Sequence, residues 1–251
     1  MKLNRIVFQT AFLAIALSAT LLVSAAEKKG QAKSESKTID SGSFGVFLKG
    51  ARVATETFHI QQGASSSTIK SELKQTVGTD PVTQKSELQV TSGGELVLYD
   101  WSQSSGGSLT VLPKNEFLIE KTSTPAYSKP AEHSFLMPNT SPILDNNFFI
   151  HREVLIWRYL AADCKPEGAS FKCQKDPAEF GVLIPQETNS ARVRLDLVGD
   201  EKVSIRGTER DLLRLNLKGD NFEWSLWVDA RDQFKLIRVA IPADDTEVVR
   251  D

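Results

Sequence analysis

One stretch, Leu144–Ala162 (LDNNFFIHREVLIWRYLAA), is the only long segment beyond the N-terminus that reads as a helix. Short β-rich runs parted by polar turns make up most of the rest. A single helix among that many strands cannot build β-α-β layers, which need a helix for every parallel crossover. It has to lie against an antiparallel sheet. At the ~100° helical step, Phe148, Phe149, Ile150, Val154, Leu155, Ile156, Trp157, Tyr159 and Leu160 cover most of its circumference. His151 and Arg158 share one narrow polar stripe, while Arg152 and Glu153 fall singly on the apolar surface. A helix apolar nearly all round must meet non-aqueous surroundings on both sides, whether a curled sheet, a hydrophobic ligand or a partner. Asp145 is its expected N-cap, and Asp163 and Pro166 are expected to end it.

The flanking pattern is that of strands. Phe44–Leu48 and Val53–Ile60 surround Lys49-Gly50-Ala51-Arg52, a hairpin signal. Ser65–Val77 alternates, with Ile69, Leu73 and Val77 on the parity of Ser71 and Gln75. Those three are also spaced by four, so a helix is the alternative, and the density of serine and threonine favours a strand. Val82–Thr91, Glu95–Ser102, Ser108–Leu112 and Glu116–Lys121 continue the series. Thr122–Pro142, with prolines at 125, 130, 138 and 142, reads as a long irregular connection. After the helix, strands are expected at Phe180–Ile184, Ala191–Val198, Lys202–Arg206, Leu212–Lys218, Phe222–Asp229 and Phe234–Ile241, with Gly199-Asp200 as one of the turns. Trp224 and Trp227 fall on opposite faces of one strand. The expected fold is mainly β, a single strongly curved antiparallel sheet (a half-barrel) of about 11–12 strands with the helix against its concave face.

Residues 1–26 read as a signal peptide, with Lys2 and Arg5 before an apolar run and small residues at Val23-Ser24-Ala25-Ala26. An uncleaved anchor is the alternative, because Ile6–Val23 is nearly long enough to span a bilayer. Residues 27–40 are polar and charged and are expected to form a disordered leader, leaving residues 41–251 as a single half-barrel domain. The expected location is periplasmic or secreted. Cys164 and Cys173 are the only cysteines, and in an exported chain they are expected to form a disulfide that pins the loop after the helix. Free thiols and a metal site are the alternatives. The second is poor, because the spacing is not C-x-x-C and no histidine is close in sequence.

The formal net charge of the 251-residue chain is -2, with no basic face, so nucleic acid is set aside as a partner. Three histidines are present, at positions 59, 133 and 151, and no hydrolase, dinucleotide, phosphate-loop or zinc-protease motif accompanies them. No catalytic residue, metal ligand or cofactor is assigned, and the chain is expected to be non-enzymatic. The candidate lining of a ligand cavity is Phe148, Phe149, Val154, Leu155, Ile156, Trp157, Tyr159 and Leu160. The expected ligand is a lipid, acyl chain or other envelope hydrophobe, bound by a monomer. The alternative is a structural or interaction module with a filled core and an envelope protein partner.

The opening hairpin Gly45-Val46-Phe47-Leu48-Lys49-Gly50-Ala51-Arg52-Val53-Ala54-Thr55-Glu56-Thr57-Phe58, the central Leu144-Asp145-Asn146-Asn147, Val182-Leu183-Ile184-Pro185-Gln186, and the closing Trp227-Val228-Asp229 with Leu236-Ile237-Arg238 carry a resemblance. Together they are similar to the periplasmic half-barrel superfamily of lipoprotein and lipid carriers (LolA/LolB-like), and to secreted bacterial proteins of unknown function related to it. The resemblance implies a curved antiparallel sheet with helical cover over its concave face. It implies no active-site residue.

Overall fold

The opening hairpin forms because Lys49 and Gly50 both take positive φ, 50° and 78°, as a two-residue turn matched to strand twist requires. It joins β1 (Lys37–Leu48) to β2 (Ala51–Gln62). The computed structural model describes residues 36–76, 81–126, 129–167, 170–173 and 177–251, so the signal-peptide reading of residues 1–26 lies outside them. β1 starts inside the stretch read as a leader. Its polar first residues pair with the end of β2, and Asp40 is buried against Arg250.

From β2 the chain meanders through β3 (Ser66–Gln75), β4 (Thr83–Thr91), β5 (Leu96–Gln103), β6 (Ser108–Lys114), β7 (Phe117–Ser123) and β8 (Ala131–Leu136), each antiparallel to the last. The helix α1 (Ile150–Asp163) follows, then a small hairpin of β9 (Cys164–Glu167) and β10 (Ser170–Cys173). A second meander runs β11 (Ala178–Ile184), β12 (Asn189–Ile205), β13 (Thr208–Lys218), β14 (Glu223–Asp229), β15 (Lys235–Ile241) and β16 (Thr246–Arg250). β16 pairs with β1, which joins the two meanders into one open sheet of 14 strands running from β11 at one edge to β8 at the other. The β11 edge is occupied by the chain before the helix. Leu183 donates its N–H to the carbonyl of Pro142 at 3.0 Å, and Leu144 donates to that of Leu183 at 2.9 Å, which covers an edge that would otherwise invite pairing.

The sheet has 14 strands where 11–12 were expected, because two strands were not read from the sequence, and in one place two expected runs merge. β8 lies in the proline-rich segment read as irregular, and its AEHSFL sequence is exposed almost throughout, so it carries no alternation to read. β16 is a five-residue strand beyond the Asp244-Asp245 turn. The two runs read on either side of Gly199-Asp200 are one 17-residue strand, β12. Gly199, at φ 126°, sits in a bulge between Leu197 and Gly199, not in a turn. That bulge inverts the side-chain parity of the strand. Val193 and Leu195 point into the main core, whereas Val203 and Ile205 join Leu212, Trp227, Ile237 and Val249 in a separate cluster on the outer face. Trp224 packs on the main core and Trp227 in the outer cluster.

Cys164 and Cys173 are bonded to each other and stand opposite in the β9–β10 register. Closing so short a loop restricts the unfolded chain by about 2.5–3 kcal/mol at 25 °C. Substituting both cysteines by serine is expected to lower the unfolding free energy by about that amount in urea titrations, with the far-ultraviolet spectrum unchanged. An unmoved midpoint would show that the crosslink constrains nothing.

Candidate functional site

The helix is tied to the sheet's concave side by polar groups that the sheet's own alternation delivers. On β2 the inward residues are Ala54, Glu56, Phe58 and Ile60, so one carboxylate takes a place in an apolar series. Glu56 is fully buried and receives the Phe149 N–H at 2.7 Å and the Ile150 N–H at 3.3 Å. These are first-turn donors that a helix leaves unsatisfied. The cap therefore comes from a residue 94 positions away from Ile150, and the helix begins at Ile150, not at Leu144. Asp145 is not the N-cap. It lies in the loop before the helix, where it takes the Asn147 N–H at 2.7 Å and hydrogen bonds from the Tyr99 hydroxyl and the Gln186 amide. Gln186 is presented by a 3₁₀ turn, Pro185–Glu187, at the end of β11.

His151, Arg152 and Glu153 are all buried, and each finds its partners elsewhere. Arg152 donates to the carbonyls of Asp145 and of Phe148, the latter at 2.7 Å, and its guanidinium lies 4.7 Å from the Trp224 ring centroid. Glu153 receives the Leu236 N–H at 2.6 Å, with Arg250 Nη1 at 3.5 Å. Burial dominates the titration of this cluster. It pushes Glu56 up to about 7, against hydrogen bonds from Ser71, Phe149 and Ile150. It raises Asp145 against its bond from Tyr99, and raises Glu153 well above the carboxylate range, helped by the charge of Asp40. It takes Arg152 down to about 10, and His151 down to about 3 with a further push from Arg152. His151 is therefore neutral across the physiological range.

One side of the helix is not packed against the sheet. A cleft of about 640 Å³ opens there, between the helix and the β4–β5 side of the concave face. Leu88, Val90, Leu96 and Ile143 form the far wall. The helix contributes His151, Val154, Leu155, Trp157, Arg158, Ala161 and Ala162, and most of these positions recur at the three- and four-residue spacing of one face. Arg158 Nη1 donates to the Gly94 carbonyl at 3.2 Å, which ties the helix to the turn between β4 and β5. Trp157 Nε1 donates to the Gln233 carbonyl at 2.8 Å on the opposite flank. The volume is within the usual range for small-molecule sites, roughly 300–1,000 Å³.

The eight cavity residues expected from the sequence separate by position. Val154, Leu155 and Trp157 line this cleft. Phe149 lines two smaller hollows at the other end of the helix. Phe148, Ile156, Tyr159 and Leu160 belong to the packed core. His151 and Arg158, which share a stripe in the sequence, share the cleft as well. The residues not singled out from sequence are Glu56, Tyr99, Asp145 as a buried acceptor, and Gln186. For Glu56 the signal was present, a carboxylate on the apolar parity of β2. For Tyr99 and Gln186 nothing local marks them.

A larger hollow, about 830 Å³, lies on the outer face across β2–β6. Its walls carry charges already satisfied by each other, Lys70 with Glu87 at 3.1 Å and Glu72 with Lys85 at 3.3 Å across β3–β4, and Glu72 with Lys74 at 2.7 Å along β3. Solvated pairs of this kind contribute little and recognise little. Among the described residues no group of three or more histidine, cysteine, aspartate or glutamate side chains could hold a metal ion. No described helix is long and apolar enough to cross a membrane.

The fold is similar to a β-barrel-like protein of the domain of unknown function DUF1849 from Brucella abortus, known from a crystal structure. The two share 7% sequence identity at a TM-score of 0.52, over 84% of this chain and 94% of that one. At that identity the likeness establishes a barrel-like fold and nothing about a ligand. No protein-family model and no curated protein matches the chain.

Proposed function

We propose that this is a non-enzymatic binding or carrier protein of the cell envelope, exported by its N-terminal signal, that holds a lipid or other hydrophobe between its helix and its sheet. The observation that carries the proposal is the cleft of about 640 Å³, where aliphatic side chains from both layers stand beside polar ones, Gln62, Ser67, Thr91, Ser92 and Ser141 among them, and the core leaves the space unfilled. A pocket that is mostly apolar with a few placed polar groups is the usual form of a small-molecule site. The sequence resemblance to the LolA/LolB-like carriers supports the same reading, and the disulfide accords with an oxidising compartment.

Native mass spectrometry of protein purified from the periplasm is expected to show a co-purified hydrophobe, extractable into organic solvent. Ala161 is exposed and lines the cleft, so Ala161→Trp fills the space at a helix-propensity cost of well under 1 kcal/mol. The variant is expected to fold normally and to lose both the bound mass and a fluorescent fatty-acid probe. A wild-type protein that carries nothing and binds no such probe would refute the proposal.

A further inference from the structure

The cleft carries a single charge, and that charge has no counter-ion. Of the lining residues only Arg158 is ionised; none is an aspartate or glutamate, and the remaining polar side chains are neutral. Arginines in comparable settings elsewhere among the described residues are paired. Arg210, Arg214, Arg238 and Arg250 are half-buried like Arg158, and each meets a carboxylate, at 2.7, 3.2, 2.6 and 2.6 Å. Among the described residues Arg158 meets none.

Within the protein Arg158 donates from Nη1 to the Gly94 carbonyl at 3.2 Å. That tie uses one of the five guanidinium N–H bonds, and it asks for a donor, not for a charge. Nε and Nη2 have no partner among the described residues. They are not sealed in as the Nε and Nη2 of Arg152 are, and keep accessible surface on a side chain that lines the cleft. Burial lowers the Arg158 pKa, and no acidic group acts in the other direction. A cation that gives up part of its hydration without gaining an anion carries a desolvation cost that an incoming anion relieves. The aliphatic wall lies deeper. Leu88, Leu96, Ile143 and Leu155 line the same cleft and are almost wholly buried, whereas Arg158 reaches solvent.

Resting on the hydrophobe-binding reading above, we infer that the cleft selects acidic amphiphiles over neutral and cationic ones. The carboxylate or phosphate head sits on the Nε and Nη2 edge of Arg158, and the alkyl chain lies against the buried aliphatic wall. The planar guanidinium edge suits the paired oxygens of either acid. Partial burial sets the size of the gain. A fully solvated pair would contribute little, whereas a charge-assisted hydrogen bond in a half-apolar mouth is worth about tenfold in affinity.

Displacement of an uncharged fluorescent probe, N-phenylnaphthylamine, by laurate, dodecyl phosphate, dodecanol and dodecylamine at neutral pH compares acidic, neutral and cationic heads on one chain length. The wild type is expected to bind the better of the two acids about tenfold more tightly than dodecanol, with dodecylamine weakest, and the gap should narrow as salt is added. Which acid binds more tightly tells a carboxylate head from a phosphate. Arg158→Gln keeps a donor for the Gly94 carbonyl, so it should bring the acids level with dodecanol while the probe still binds. Arg158→Glu should reverse the order and make dodecylamine the tightest, which loss of a structural tie would not do. Acids no tighter than dodecanol in the wild type, or a preference for them that survives in a folded Arg158→Gln protein, overturn this inference and leave the hydrophobe reading standing. Failure of the probe to bind, or of every compound to displace it, overturns both.

Discussion

Glu56→Ala is expected to lower the unfolding free energy by about 3–5 kcal/mol at neutral pH, measured by urea titration with circular dichroism and tryptophan fluorescence. The carboxyl group receives three hydrogen bonds, from Ser71 Oγ at 2.7 Å, Phe149 N at 2.7 Å and Ile150 N at 3.3 Å. Its charge is also one of those that compensate Arg152. Alanine leaves two helix-terminal N–H groups buried without an acceptor, at about 1–3 kcal/mol each before any rearrangement. It leaves Arg152 with less counter-charge as well. Glu56→Gln keeps the shape and one acceptor oxygen, so its cost at neutral pH is expected to be smaller, about 1–2 kcal/mol.

The pair of variants also separates the charge from the shape. The folded-state pKa of Glu56, about 7, is above its ordinary value of 4.5. The stability linked to its protonation is therefore fully present below about pH 4.5 and is lost as pH rises to about 7. His151 acts in the opposite sense, because its pKa falls from 6.5 to about 3, so it penalises the folded state as pH drops through that window. Subtracting the Glu56→Gln profile from that of the wild type cancels the histidine contribution. The difference is expected to fall between about pH 4.5 and 7. A flat difference, or an alanine variant within about 1 kcal/mol of the wild type, would show that the helix start is held by something other than this carboxylate.

Where strands were legible, one face was wet and the other dry. In β3 the buried residues are Ile69, Ser71 and Leu73, the parity that the alternation assigns, and in β4 Gln84, Ser86 and Leu88 repeat it. That information is local. What could not be read depends on distant partners. Gly199-Asp200 has the composition of a turn, and only its pairing with β13 makes it a bulge that sends Val203 and Ile205 to the outer face. β16 became a strand because β1 lies beside it, some 200 residues back along the chain, with Phe44 opposite Arg250. The helix shows the same division most sharply. Its length and apolar girth were visible, and the structure surrounds it on most sides. Its true start was not, because Asp145 looks like a cap in sequence and is spent on Tyr99 and Gln186, while Glu56 caps from across the sheet. Helical geometry correctly scatters His151, Arg152 and Glu153 to different faces. Scattering does not expose them, however, since each face meets a different strand or the cleft.

Arg152→Met is expected to cost about 3–5 kcal/mol at pH 8 and markedly less at pH 5, read from the same urea titrations. Arg152 is among the largest fully buried side chains and holds the Asp145 and Phe148 carbonyls, which fix the loop leading into the helix. Methionine reproduces its unbranched length and can still pack against Trp224 and Phe149, so the volume lost is small. What disappears is the cation. Its charge lowers the pKa of both Glu56 and Asp145, and without it both rise further. At pH 5 Glu56 is already protonated in the wild type, and the variant loses mainly two carbonyl hydrogen bonds, offset by relief of the arginine's own desolvation. At pH 8 the variant must either bury carboxylates without a counter-charge or hold protons that the unfolded chain releases, and both routes destabilise the fold. Adding Glu56→Gln to Arg152→Met removes one of those carboxylates. The double variant is therefore expected to be more stable at pH 8 than the sum of the single effects, with a coupling of about 1–3 kcal/mol. Strict additivity at pH 8, together with an equal cost of Arg152→Met at both pH values, would mean that the guanidinium acts on the helix entrance only through its hydrogen bonds to the two carbonyls. The buried carboxylates would then carry their protons independently of it.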